Sequence, residues 1–268
     1  MIFAEFKCFV RSLFLQTLWN FERMQNIGFA FGVAPLLKRV YSSRASYTAA
    51  IRRHTGFFNT HPYFAPIVMG VVYHREKQRL TEGADGEDAA LAALKNGMGG
   101  AFGAVGDHVL WGIWRPFCLV LSLSIGLMVG YSLSGSEDST RIFDPVAARV
   151  CGRWWIAGFL GMFNAVHLWL RWRGLQKACQ DGPLVVRWIQ SLSLQSWAAQ
   201  VQRVALILLF MMALIYLSRW TSSNLQIWMI AVLLGAIILK RWSCSGTTVF
   251  YTVCALSILM TKLGIHWP

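Results

Sequence analysis

Charge is scarce in this chain. Asp, Glu, Lys and Arg make up only 14% of its 268 residues, roughly half the share of an average soluble domain. So few charged side chains cannot cover a water-facing surface of that size, which excludes a simple soluble enzyme. Acid is scarcest of all: residues 145 to 268 hold eleven basic side chains and one acidic one, Asp181. The net charge is +13, yet the cations punctuate apolar runs instead of clustering on one face with interleaved aromatics, which argues against nucleic acid as a partner. No C-x-x-C pair occurs among Cys8, Cys118, Cys151, Cys179, Cys244 and Cys254, so these read as free, packed thiols. Paired His spacing, a phosphate-binding glycine loop and a marked Ser, Cys and His arrangement are also missing. No metal, cofactor or nucleophile is expected.

What is present is apolar: 56% of the residues are hydrophobic and 13 are Trp. Uncharged windows bounded by cations run from Pro116 to Ser136, Trp154 to Leu170, Val204 to Ser218, Trp220 to Leu239 and Trp242 to Thr261. The last two are 20 residues long, the length that crosses a bilayer at helical rise. Trp154, Trp155, Trp169, Trp220 and Trp242 stand at window edges, where rings anchor at headgroup depth. Buried helices of a large soluble core are the alternative, and they fit poorly with so much Trp and so little charge. The composition therefore implies an all-α membrane protein, with an amphipathic and re-entrant N-terminal helical region and about three to five transmembrane helices. Four stretches are expected: residues 1–75, amphipathic and interfacial; 76–90, a polar solvated loop; 91–182, a glycine-rich segment with the first spans; and 183–268, C-terminal membrane helices. Cation placement suggests a cytoplasmic start.

Two stretches carry the candidate chemistry. From Lys95 to Arg115 the chain reads KNGMGGAFGAVGDHVLWGIWR, with Gly97, Gly100, Gly103 and Gly106 at every third position and Gly99 and Gly103 in small-xxx-small spacing. Such spacing permits close backbone packing or a bent, re-entrant segment. The one acid there, Asp107, is costly in an apolar setting unless paired or wetted, with Arg115 or Lys95 as candidate partners. A functional-site residue and a structural ion pair are both open readings. In RRHTGFFNTHPYFAP, His54, Asn59, Thr60 and His61 sit among Phe57, Phe58, Tyr63 and Phe64. Amide and imidazole beside aromatic rings suit a sugar, which offers hydroxyls at its rim and apolar faces to a wall. The plainer reading makes Asn59 and Thr60 a helix cap. In WNFERMQN, helical spacing would put Glu22 and Asn26 on one face, with Asn20 and Arg23 close by.

Taken together, three long motifs resemble the IID membrane subunit of the mannose, fructose and sorbose family of the phosphoenolpyruvate-dependent sugar phosphotransferase system. They are FLQTLWNFERMQNIGFAFGVAPLLKRVY from Phe14 to Tyr41, IRRHTGFFNTHPYFAPIVMG from Ile51 to Gly70, and VGDHVLWGIWRP from Val105 to Pro116. A weaker fourth is NAVHLWLRWRG from Asn164 to Gly174. The chain departs from the family's pattern at Met98–Ala104, where Ala101 replaces a proline, at Thr55 and Gly56 in place of Leu-Glu, and at His167 and Arg173 in place of arginine and an aromatic residue. The resemblance implies an inner-membrane, multi-pass, all-helical subunit in a hetero-oligomer with a IIC subunit. A hexose would cross their shared pathway while soluble IIA and IIB proteins carry the phosphoryl group, so this chain alone would catalyse nothing. Asn59, His61, Asp107 and Arg115 would line or brace the pathway, Asn20, Glu22, Arg23 and Asn26 would contact pathway or partner, and Gly97, Gly100, Gly103 and Gly106 would pack backbones. A non-transporting homologue that anchors soluble phosphotransferase proteins is the alternative.

Overall fold

The computed structural model describes residues 2–82, 88–134 and 145–219. Internal packing groups residues 1–208 into one compact unit, and the site lies within it. Its helices are α1 (Ile2–Ser12), α2 (Asn26–Val40), α3 (Arg44–Arg53), α4 (Ala65–Glu82), α5 (Asp88–Gly106), α6 (Arg115–Ser134), α7 (Pro145–Asp181), α8 (Val185–Ser191) and α9 (Leu194–Arg219). A π-helical segment, Asp107–Trp114, joins α5 to α6. A single 3-10 turn, Gly182–Leu184, comes after α7. The expected windows at 220–239 and 242–261, with Cys244 and Cys254, lie outside the described residues.

Close backbone approach sets the packing. Gly70 of α4 faces Ala178 and Leu175 of α7, where an added Cβ would lie 2.6 Å from the Ala178 methyl. Gly174 of α7 repeats the device against Ile67. Small residues on both helices let them touch along their lengths, the usual solution where lipid offers no hydrophobic drive between helices. Phe29, Phe64, Ile67, Met69 and Leu175 fill the space around this contact. Outside, the pattern inverts: Ile2, Phe3 and Phe6 of α1, Leu123 and Ile125 of α6, and Ile156 and Leu160 of α7 are exposed. Apolar area on that scale marks a surface meant for lipid or a partner.

Three expectations change. The run from Asp88 to Gly126 is the one helical stretch among the described residues long and apolar enough to cross a membrane. It begins well before the expected window at Pro116, because the Gly/Ala segment is helical and runs through the π segment into α6 without a break. The polar stretch after Arg75 is helix as far as Glu82, not loop. Its Lys, Glu, Gln and Arg are good helix formers, and Glu76 within it is fully buried. Finally, WNFERMQN is not helical before Asn26. Residues 13–25 form successive turns, and Met24 sits at φ 56°, a left-handed conformation that no helix continues through.

Candidate functional site

Between α3 and α4 the FFNTHP stretch runs extended across the unit, held from one side by the turn that precedes α2. The Gln25 amide N–H donates to the Phe58 carbonyl at 2.8 Å, and Phe58 N–H donates to the Arg23 carbonyl at 3.4 Å. The Gln25 side chain then grips the next residue but one from both ends: Nε2 donates to the Thr60 carbonyl at 2.9 Å while Oε1 accepts from Thr60 N–H at 3.1 Å. A side-chain amide thus stands in for a neighbouring strand. Asn26, buried, donates to the Thr55 carbonyl at 2.8 Å and accepts from Asn20 at 3.0 Å. Asn20 also receives the Arg23 N–H, and Glu22 pairs with Arg23 on the exposed rim. The four polar residues brace a turn, not a helix face as their spacing suggested.

On the other side the stretch lies against glycine. A Cβ on Gly99 would come within 2.8 Å of the Asn59 carbonyl, and one on Gly106 would strike the His61 ring. A Cβ on Gly103 would lie 3.9 Å from His61 N. Gly97 and Gly100 face open space, so the packing face is Gly99, Gly103 and Gly106, not the three-residue repeat.

This arrangement lines a half-open cavity of about 370 Å³. Gln16, Trp19, Gln25, Asn59, Thr60 and His61 form one wall. Gly99, Gly100, Gly103, Asp107 and Trp111 form the other. The volume is at the lower end of small-ligand sites, enough for one small polar molecule. Asp107 opens the π segment, a backbone device frequent at functional sites, and Trp111, one π turn on, meets the His61 ring edge-on at 4.6 Å. Two buried wall atoms, His61 Nε2 and Thr60 Oγ1, have no hydrogen-bond partner in the protein among the described residues. Buried polar atoms are rarely left so. His61 Nδ1 accepts from the Tyr63 N–H at 3.3 Å, which leaves Nε2 to donate.

Asp107 is exposed at the cavity and forms no ion pair among the described residues. Neither expected partner meets it. Lys95 is buried with its ammonium 5.1 Å from the Phe29 ring centre and 5.6 Å from that of Phe58. Arg115 is exposed at the far end of the π segment and does not line the cavity. Thr60, bound through its backbone to Gln25, caps no helix. α4 begins only at Ala65.

Behind His61 the support is aromatic and cationic. Tyr63 stacks on His167 at 4.2 Å, with Arg171 5.0 Å over the Tyr63 ring. Arg171 in turn donates from Nη1 to the Ser12 carbonyl at 3.1 Å and to Ser12 Oγ at 3.3 Å. At the start of the stretch, Glu76 gathers α2, α3 and α4. It accepts from Tyr41 at 2.6 Å, Arg53 at 2.8 Å and His54 at 2.8 Å. Burial alone would raise the Glu76 pKa, but these three hydrogen bonds outweigh it and hold the carboxyl at about 2. For His54 the balance goes the other way: burial outweighs the neighbouring carboxylate, and the imidazole is harder to protonate than usual. A neutral ring donating Nε2–H to a charged Glu76 satisfies both. Gln25, Trp111 and Arg171 were not singled out from sequence. Gln25 stood inside a quoted motif and was hidden by the helical reading of it.

Residues 4–135, which hold both walls, match the mannose/fructose/sorbose family IID component of the phosphotransferase system. The chain is 31% identical to the sorbose-specific EIID component of Klebsiella pneumoniae over 82% of its own length and 70% of that protein's. It is 32% identical to the mannose-specific EIID component of Escherichia coli (strain K12) over 82% and 68%. The chain belongs to the IID family. A further relative, the fructose permease IID component of Bacillus subtilis (strain 168), is 29% identical over 83% and 71%. Among solved structures, a chain of the mannose transporter ManYZ complex with microcin E492 is similar at TM-score 0.51 and 26% identity, covering 98% of this IID component and 97% of that chain. Another, described as a membrane protein, reaches TM-score 0.60 at 25% identity over the same shares. This IID component is thus a membrane subunit of a phosphotransferase-type sugar permease.

Proposed function

We propose that this IID component forms, with a IIC-type subunit in the bacterial inner membrane, the pathway by which a hexose enters while a IIB protein phosphorylates it. The observation that supports this best is the convergence of Asn59, His61 and Asp107 on one cavity walled by Trp19 and Trp111. Carboxylate, amide and imidazole supply acceptors and donors for adjacent hydroxyls, and the indoles suit the apolar faces of a pyranose. Asp107 would accept from hydroxyls and Asn59 both accept and donate, with the His61 ring in the wall beside them. Arg115, off the cavity, braces the pathway from the side of the partner subunit. Asn20, Glu22, Arg23 and Asn26 hold the turn that closes the cavity, with Glu22 and Arg23 free to meet that partner. Nothing in this wall transfers phosphate, so chemistry falls to IIB, with IIA feeding it. The apolar outer faces of α1, α6 and α7 suit a multi-pass protein bordered by lipid and a second subunit.

The test is phosphorylation and uptake of labelled hexoses by membrane vesicles supplied with the cognate soluble proteins and IIC partner. Vesicles without this chain should form no sugar phosphate, and Asp107→Asn or Asn59→Ala should cut the rate at least tenfold with the protein still in the membrane, the effect of losing about 1.4 kcal/mol of differential binding. Unchanged uptake of every sugar without the chain would leave it an anchoring role instead.

A further inference from the structure

One buried acid lies apart from the cavity. Glu5 stands on the inner face of α1, only 2% exposed, with Ala4, Cys8 and Ser12 buried beside it. Its Oε1 has no hydrogen-bond partner among the described residues, and the carboxyl forms no ion pair among them. Each neighbouring helix brings a titratable or charged group near it: Arg39 from α2, Tyr73 from α4 and Cys179 from α7, with Cys8 on α1 itself. Arg39 is engaged with the Tyr73 side chain. The other cations of α1 are turned elsewhere, Lys7 over the Phe3 ring and Arg11 over that of Phe31.

An ionised carboxylate in that setting is costly, because nothing replaces the water it gives up. Burial accordingly raises the Glu5 pKa above its ordinary 4.5, and the positive charges of the terminal amine and Arg39 oppose this without cancelling it. Burial also raises Cys8, Cys179 and Tyr73, so these three stay neutral where Glu5 changes charge. The helix that carries Glu5 is lightly held. Its inner face is made of small side chains, which gain little by burial, while Ile2, Phe3, Phe6 and Val10 are exposed. Phe9, half-buried, meets Trp172 of α7 edge-on at 5.6 Å. The firm polar ties come at the far end of α1, where Arg171 holds Ser12 and Arg11 reaches the Phe31 carbonyl. A segment with so few buried apolar contacts is one that opens ahead of the rest.

We propose that α1 is a proton-gated latch, docked on α2, α4 and α7 while Glu5 is neutral and released over its first two turns when Glu5 ionises. The docked helix binds the proton more tightly than the freed one. Docking is therefore favoured in acid and weakens as pH rises from 4.5 through the higher value of the docked state. His54 and Glu76 respond in the opposite sense, since the fold lowers both. The latch rests on α1 and its neighbours alone and holds whether or not the cavity passes sugar.

The experiment is hydrogen exchange of the full chain in phosphatidylcholine nanodiscs, whose headgroups carry no net charge, from pH 4.5 to about 8, with rates corrected for the chemical pH dependence of exchange. Protection of the amides of residues 6–10 should be lost as pH rises, and the amides of α7 should not follow. Glu5→Gln keeps the shape and cannot ionise, so it should leave α1 protected across the range. Glu5→Leu removes the polar group altogether and should do the same, which separates the charge from any bond the glutamine makes. Wild-type protection that does not change with pH would overturn the latch. So would a loss of the same size in both variants, which would assign it to another group, or an equal loss in α7, which would make it a general loosening.

Discussion

Gly106 meets the His61 imidazole with no room between them for a methyl group. The ring's place at the cavity is therefore set by the absence of a side chain one helix away. Gly106→Ala should push His61 out of the wall, costing about 1–3 kcal/mol as overpacking does, and should lower sugar-phosphate formation as well as the melting temperature. Gly97→Ala, where nothing lies within 4 Å, should instead leave the protein as stable or up to about 1 kcal/mol more so, from helix propensity alone. Thermal unfolding of the two purified variants side by side checks the contrast.

Gln25 replaces a strand neighbour for Thr60. Gln25→Ala strands the Thr60 N–H and carbonyl in a buried place, at about 1–3 kcal/mol for each unsatisfied group. Gln25→Glu keeps the shape but sets a buried carboxylate oxygen against the Thr60 carbonyl, so at neutral pH it should cost at least as much as alanine. Hydrogen exchange at the Thr60 amide is the direct reading: protected in wild type, and faster in both variants.

Acid should loosen the α2–α3–α4 junction in two steps. His54 ordinarily titrates near 6.5 and lower in the fold, so the unfolded chain gains its proton first, and stability falls as pH drops below about 6.5. Glu76 ordinarily titrates near 4.5 and at about 2 in the fold, so its contribution is whole above 4.5 and is lost as pH falls from there toward 2. Both signs agree. Stability should decline as pH falls below about 6.5, and His54→Gln should make that decline shallower without removing it, because burial holds His61 and His167 at about 4 as well. A pH series of melting temperatures in detergent, wild type against variant, decides it. No change in the upper step would show that His54 is charged in the folded protein.

Arg171→Gln removes the cation from Tyr63 and the bond to the Ser12 carbonyl. The first turn of the chain is then unlatched from α7, and protease cleavage in residues 13–25 should rise while α4 and α7 stay protected. Limited proteolysis with mass mapping of the fragments reads this out.

The residues at the cavity were legible because their chemistry is conspicuous. An acid in a glycine-rich apolar stretch and an Asn-Thr-His run between aromatics are costly to keep, and the structure places Asn59, His61 and Asp107 around one space. What was misread was local. Helical spacing suggested a helix for WNFERMQN, but the bonds that hold it come from Phe58 and Thr60, more than thirty residues on, and periodicity cannot see them. Polarity suggested a loop after Arg75, but Glu76 is polar because three side chains of other helices bond to it. The π turn at Asp107 has no sequence signature at all, since it differs from an α-helix only in which carbonyl each N–H chooses. The glycine face was found in part: Gly99, Gly103 and Gly106 pack because of where Asn59 and His61 lie, and no count along one helix reports that.

The bond from Arg171 to Ser12 spans 159 residues, and it bears on how the protein is made. A ribosome adds roughly 5–20 residues each second, so the first turn of the chain waits on the order of ten seconds for the arginine that will fasten it. Until then α1 lacks its tie to α7 and is held chiefly by α2, through contacts such as the Arg11 bond to the Phe31 carbonyl. An N-terminal helix in that position must either rest on the membrane surface or be shielded by a chaperone, and a ribosome-nascent chain stalled before residue 171 should be the form in which α1 is captured by crosslinking to lipid or to the insertion machinery.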